Sequence, residues 1–322
     1  MRAKTLALLL LAASPSALAD GILTLKIDND IFASGDDGHY TNGLEGQWTF
    51  RPAADHWTRS LSESLPVWSR GTLDMASYRF GQQIYTPENT SAHQLIESDR
   101  PYAGYLYAGL SLFQDERDDT LRQSDSLYID IGVVGPAAGG KFIQNNFHHL
   151  IDSDRAEGWH NQLNNEPTLA VGWNRAWWHR GSIGNLETEY GPNVGVTLGN
   201  LYDFAETGYM VRVGRGLSDV YGMPNVSPSQ SGRTFFTPNR GGWYAFAGLT
   251  GRYVAHNMLL DGNTFQDSAE VDRRPWVGDA LTGVALTYDR WNVAFTAVWR
   301  THEFEAQDDS DKFGSLTIST WL

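Results

Sequence analysis

Segments of about ten residues in which apolar and polar side chains alternate recur along almost the whole chain. A period of two puts successive side chains on opposite faces of a β-strand. In residues 22–31, Leu23, Leu25, Ile27 and Ile31 share one face, and Thr24, Lys26, Asp28 and Asp30 share the other. In residues 41–51, Leu44, Trp48 and Phe50 oppose Thr41, Glu45, Gln47, Thr49 and Arg51. Strands of this length cross a bilayer when tilted. A basic side chain facing lipid at mid-bilayer costs roughly 2–4 kcal/mol, so the charged face must line an interior. Further segments of the same kind lie at 76–86, 103–113, 125–135, 167–177, 188–199, 207–216, 242–254, 279–289, 291–301 and 313–322. About twelve strands result, an even number, as single-chain bacterial barrels have. The expected fold is all-β: a closed antiparallel transmembrane β-barrel.

Composition agrees with that expectation. The 12 Trp, 14 Tyr and 14 Phe suit aromatic girdles, and 33 Gly suit many turns. There is no Cys, and strands that close on one another need no disulfides. A formal charge of −14 argues against a nucleic-acid partner and suits a surface that meets divalent cations. The last segment places Gly314, Leu316, Ile318, Thr320 and Leu322 on one face, with the aromatic Trp321 next to last, as in a terminal barrel strand.

Residues 1–19 read as a signal peptide. Arg2 and Lys4 open it, an apolar run follows from Leu6 to Ala13, and Ala17-Leu18-Ala19 gives a small-x-small cleavage pattern. The run is too short to span a bilayer. The barrel domain is then 20–322, placed in a bacterial outer membrane, with a monomer expected.

One stretch leaves the strand rhythm. From Gly139 to about Asn165 the pattern is helical, and Gln144 and His148, four apart, share a helix face. The inserts 53–75, 217–241 and 255–275 read as loops. With both termini in the periplasm, the 32–40 turn and the helical insert are extracellular. The 53–75 and 217–241 inserts then fall at the periplasmic end, where turns are usually short.

Several chemistries are missing from the sequence. It has no G-x-S-x-G elbow, no phosphate-binding glycine loop and no Cys nucleophile. His302-Glu303 opens like a zinc-protease motif, but position 306 is Ala. Two constellations remain. Asn29-Asp30, with Tyr40-Thr41-Asn42-Gly43, sets polar oxygens at the top of paired strands. By alternation Asp30 and Thr41 face the lumen, while Asn29 has the lipid-facing parity unless a bulge turns it. Such oxygens suit Ca²⁺, although Asn-Asp at a strand end is also ordinary turn chemistry. In the second constellation, Gln144-Asn145-Asn146-Phe147-His148, a His on a polar helix face is either a general base or a surface histidine.

These residues also match a family pattern. Asn29-Asp30, Tyr40-Thr41-x-Gly43, Ile84-Tyr85-x-Pro87, Asp99-Arg100, and Gly135-Pro136-x-Ala138-Gly139-Gly140 followed by Gln144-Asn145-x-x-His148 occur in order along nearly the whole mature chain. Together they resemble the outer-membrane lipid A deacylases, which remove the 3′-acyloxyacyl group from lipid A. The resemblance implies a calcium-dependent ester hydrolase acting on lipopolysaccharide, with its site between the barrel wall and the outer leaflet. It implies His148 as general base, Asp30 as calcium ligand with Asn29 and Thr41 beside it, and Gln144 as a positioning residue. Two positions depart from the family. Asp154 stands where a Glu is usual, and Glu88 to Ser91 supply no match for the Lys that follows the Tyr-x-Pro motif. The competing readings are a passive porin-like or structural barrel, and a serine-dependent outer-membrane phospholipase. The second lacks its His-x-Ser pattern here.

Overall fold

The computed structural model describes residues 21–33, 39–65, 68, 73–150, 155–221 and 235–322. The predicted signal segment lies outside them. Twelve long antiparallel strands close into one barrel. They are β1 (Gly21–Asn29), β2 (His39–Phe50), β3 (Met75–Thr86), β4 (Ala103–Arg117), β5 (Leu121–Val134), β6 (Glu166–Ile183), β7 (Leu186–Gly199) and β8 (Tyr202–Arg215). After a short antiparallel pair of two-residue strands, β9 (Val220–Tyr221) and β10 (Phe235–Phe236), come β11 (Asn239–Asn257), β12 (Trp276–Asp289), β13 (Trp291–Arg300) and β14 (Asp311–Trp321). Each consecutive barrel strand pairs with the next, β8 with β11, and β1 closes the ring on β14 with Leu25 opposite Ile318. Every segment read from alternation is a barrel strand, including the two that Gly and Pro interrupt, because a strand flanked by two partners tolerates locally weak propensity.

The alternation sorts the side chains as the bilayer requires. Leu23, Leu25, Leu44, Phe80, Ile131 and Leu249 are exposed on the outer wall. Outward-facing aromatics gather near both rims, Tyr78, Trp243, Tyr288 and Trp291 toward the termini, and Tyr253, Trp276 and Trp299 at the far end. Such belts sit at the membrane–water boundary.

The lumen is filled by side chains. Arg79 bonds Glu45 (3.1 Å) and Asp130, and Tyr107 donates to Glu45 (2.6 Å). Nearer the termini, Arg122 and Arg212 share Glu189, and Arg122 also bonds Asp115. Toward the far end, Arg300 grips Asp279 with two bonds (2.8 and 2.9 Å), and Arg252 adds a third (3.0 Å). All of these charged residues that line the lumen are buried. Rings of Tyr85, Tyr105, Tyr202, Tyr244 and Phe246 pack between them. The β9–β10 hairpin closes the terminal end. Phe235 and Phe236 bury against Ile22, Met75 and Phe113, and the Trp321 indole donates to the Phe236 carbonyl (2.7 Å). A wide pore would leave its lining residues exposed, and these are buried.

The inserts hold more structure than loops. Helix α1 (Trp57–Glu63) and the hairpin lie at the terminal end, and α3 (Met258–Asp261) lies at the far end. The predicted helical insert contains α2 (Gly140–Leu150) and a single helical turn at Trp159–Asn161.

Candidate active site on the outer wall of the barrel

The turn after β1, the β3–β4 connection, α2 and α3 all stand at the end of the barrel away from the termini. Of the residues singled out from sequence, Asn29 and Thr41 come together on the outer face of β1 and β2, Asp30 follows Asn29 at the head of the next turn, and Gln144 and His148 lie on α2. Asn29 keeps its lipid-facing parity, yet it is buried, and its amide donates to the Thr41 carbonyl (2.8 Å). Asp30 is 2% exposed and heads a helical turn, Asp30–Phe32, closed by the Ala33 amide donating to its carbonyl (2.9 Å).

Thr41 corrects the alternation reading. In the β2–β3 ladder Tyr40 faces Tyr85 and Asn42 faces Ile84, so Thr41 is an extra residue, a β-bulge. The bulge sends Tyr40 into the lumen, where it packs on Phe313 and donates to Asp28 (2.8 Å). It turns Thr41 outward instead, and its hydroxyl meets that of Thr86 at 2.8 Å. Thr86 shares its face of β3 with the outward Tyr78, Phe80 and Ile84. The bulge thus lies at Thr41 and not at Asn29, and it brings the threonine to the asparagine's side of the wall.

The wall is shaped to receive a helix. Gly104, outward on β4, lies directly under the first turn of α2: a Cβ there would stand 3.1 Å from the Gly140 nitrogen. Gly140 in turn leaves room for Trp159, whose ring a Cβ would meet at 2.6 Å. Gln82, outward on β3, holds the turn before the helix by donating to the Ala138 carbonyl, and Asn165 accepts from the Ala137 amide (2.7 Å). Trp159 fills the space between wall and helix with Ile84, Tyr102 and Ala156. Its indole N–H donates to Gln144 Oε1 at 2.7 Å. Gln144 is 3% exposed, while Phe142 and Ile143 beside it on α2 are exposed. Across the site, Phe32 lies over Gly314 and meets the outward Phe295 edge-on (6.5 Å between centroids). The polar residues therefore sit between two apolar shoulders.

His148 is on the last turn of α2, one turn beyond Gln144. Its side chain, and the whole of Asp154, lie outside the described residues. The Asp99-Arg100 pair fastens the β3–β4 connection. Asp99 accepts from the amides of Glu88 (2.8 Å) and Arg100 (2.7 Å) and lies 3.5 Å from His39. Burial would raise its carboxyl pKa, but these hydrogen bonds outweigh burial and hold it below the usual range. Arg100 turns inward, over the Tyr85 ring (4.6 Å) and toward Glu303 (3.4 Å).

A metal here meets only oxygen from Asp30 and Thr41. Among the described residues no group of three or more His, Asp or Glu could hold an ion. Among the described residues, the atoms that Asp30 and Thr41 offer a cation are oxygens, a donor type that suits Ca²⁺ better than Zn²⁺. Sequence reasoning missed Thr86 and Trp159. Thr86 is the unspecified residue inside Ile84-Tyr85-x-Pro87, and Trp159 is the one Trp of the helical insert.

A family model described as outer membrane protein LpxR matches residues 5–322. Among solved structures, LpxR from Salmonella typhimurium aligns over 94% of this chain and 100% of its own, with a TM-score of 0.78 and 22% identity, which establishes a shared fold. The β domain of the Bordetella autotransporter BrkA aligns over 94% of this chain and 98% of its own, at 9% identity and a TM-score of 0.47, too distant to bear on chemistry. No curated protein matches the chain. With the family match spanning nearly every residue and the barrel built as that family requires, the chain belongs to the LpxR family of outer membrane proteins.

Proposed function

We propose that this protein is a calcium-dependent lipid A deacylase, a hydrolase that cleaves an ester-linked acyl (acyloxyacyl) group from lipid A in the outer leaflet. One observation carries the reading. Asn29 and Thr41 are buried on the lipid side of the barrel wall, Asp30 is buried next to Asn29 in the chain, and Gln144 is buried on a helix that exposes Phe142 and Ile143. Polar groups on that side of a membrane barrel are costly unless they serve a ligand that brings its own polar atoms into the leaflet. An acylated, phosphorylated sugar is such a ligand.

In this reading His148 takes a proton from water as the water oxygen attacks the ester carbonyl. Imidazole is the side chain whose intrinsic proton affinity suits that task at neutral pH. Breakdown of the tetrahedral intermediate breaks the bond to the sugar oxygen, which leaves as a hydroxyl with the proton returned from His148. Asp30 would hold calcium, which when bound would supply electrostatic stabilisation of developing negative charge. Asn29 and Thr41 fix the strand end that carries Asp30, and Gln144 positions the substrate. No covalent acyl-enzyme is needed, in keeping with the missing serine motif. The packed lumen opposes a passive pore.

The test is release of fatty acid from purified lipid A in detergent, followed by mass spectrometry, with calcium or with chelator. Calcium-dependent release by the wild type is expected. His148→Ala should abolish it while the barrel keeps its heat-resistant migration on gels. Undiminished release by that variant, or release indifferent to chelation, refutes the mechanism.

A further inference from the structure

We infer that Trp159 is a positioning residue for hydrolysis, because its indole decides which way round the Gln144 carboxamide stands. The inference rests on the deacylase reading and deepens it. A glutamine amide has an acceptor end and a donor end of nearly equal size, and only the surrounding hydrogen bonds choose between its two orientations. An indole N–H donates and never accepts. At 2.7 Å it therefore claims Gln144 Oε1 and turns the amide NH₂ away from the ring.

That NH₂ is the second observation. Gln144 Nε2 is buried and has no hydrogen-bond partner among the described residues. Buried donors in native proteins are nearly always satisfied, so an orphan calls for a partner that arrives later. The NH₂ lies on the side away from Trp159, on the helix that carries His148 one turn further along. A carbonyl or ester oxygen of the acylated sugar is the acceptor that fits a neutral amide donor. Were the carboxamide reversed, its oxygen would repel that atom, and the indole N–H would face a second donor.

The indole itself has little freedom. Trp159 is 1% exposed, its ring lies 5.0 Å from that of Tyr102, and Gly140 closes over it. The Leu163 amide donates to the Tyr102 carbonyl (2.9 Å), and the Tyr102 hydroxyl donates to the Thr90 carbonyl (3.1 Å), so both segments that carry the rings are tied down. The orientation of the amide is thus fixed before any lipid arrives.

The experiment compares steady-state lipid A hydrolysis by four proteins: wild type, Trp159→Phe, Gln144→Ala and the double variant, each first checked for heat-resistant migration. Phe keeps the ring against Tyr102 and removes only the donor. Loss of a transition-state donor costs on the order of a hundredfold in kcat, the fall expected for Gln144→Ala, with about tenfold for Trp159→Phe and little change in KM for either. The double variant should be no slower than Gln144→Ala alone, since the indole acts only through the amide. Full activity of Trp159→Phe, a rise in KM alone, or losses that multiply in the double variant would each overturn the role of Trp159 and leave the deacylase reading standing. A folded wild type with no hydrolysis removes both.

Discussion

At the scale of single residues, the site depends on one extra amino acid. Without the bulge, Thr41 would point into the lumen with Glu45 and Gln47, and Tyr40 would point at lipid. With it, two hydroxyls from neighbouring strands meet beside Asn29, and the Asn29 amide holds the Thr41 carbonyl. A hydrogen bond between neutral groups contributes only about 1 kcal/mol net, too little to hold a barrel together but enough to place one side chain. Thr86→Val should therefore leave the folded barrel intact and lower lipid A hydrolysis severalfold, while Thr86→Ser retains it. Equal activity of the Val and Ser proteins would show the hydroxyl to be dispensable.

At the scale of elements, the twelve strands were legible because a two-residue period is imposed by lipid on one side and charge on the other. The C-terminal strand and the helical insert were legible for related reasons, a closing alternation and a change of period. The side of the wall on which Thr41 falls was not, since a bulge leaves no mark in a Tyr-Thr-Asn-Gly run. Nor was the β9–β10 hairpin, whose Phe235-Phe236 pair is too short to carry a period. Trp159 read as one more aromatic until α2 was set over it. The contact of Gly104 with Gly140 is the element-level feature most open to test. Replacing Gly140 by Val would drive a branched side chain into the Trp159 ring and lift the helix from the wall. Hydrolysis should fall at least tenfold, and amide exchange of α2 should quicken, with strand exchange unchanged; unaltered helix protection would refute the contact as a determinant.

At the scale of the whole molecule, the interior is a polar core in place of an oily one. Arg122 and Arg212 share Glu189 (3.3 and 2.7 Å), all three are buried, and Asp115 is a second partner of Arg122. Removing one member of a buried ionic group strands its partners, at a cost of about 3–5 kcal/mol. Glu189→Ala should lower the urea midpoint of unfolding and the temperature at which the barrel loses its compact gel migration. Glu189→Gln, which keeps the shape and half the acceptor capacity, should lose less. Equal stability of the Ala variant and the wild type would mean that solvent reaches the arginines.

The filled cylinder also bears on how such a protein meets its substrate. Among the described residues the lumen is packed, so on the proposed function a lipid would reach the site beside α2 sideways, from the plane of the leaflet. If the protein is the proposed deacylase, turnover should follow the crowding of glycolipid per unit of surface, a two-dimensional concentration, and diluting the lipid with inert detergent should slow hydrolysis even when its total amount in the tube is unchanged.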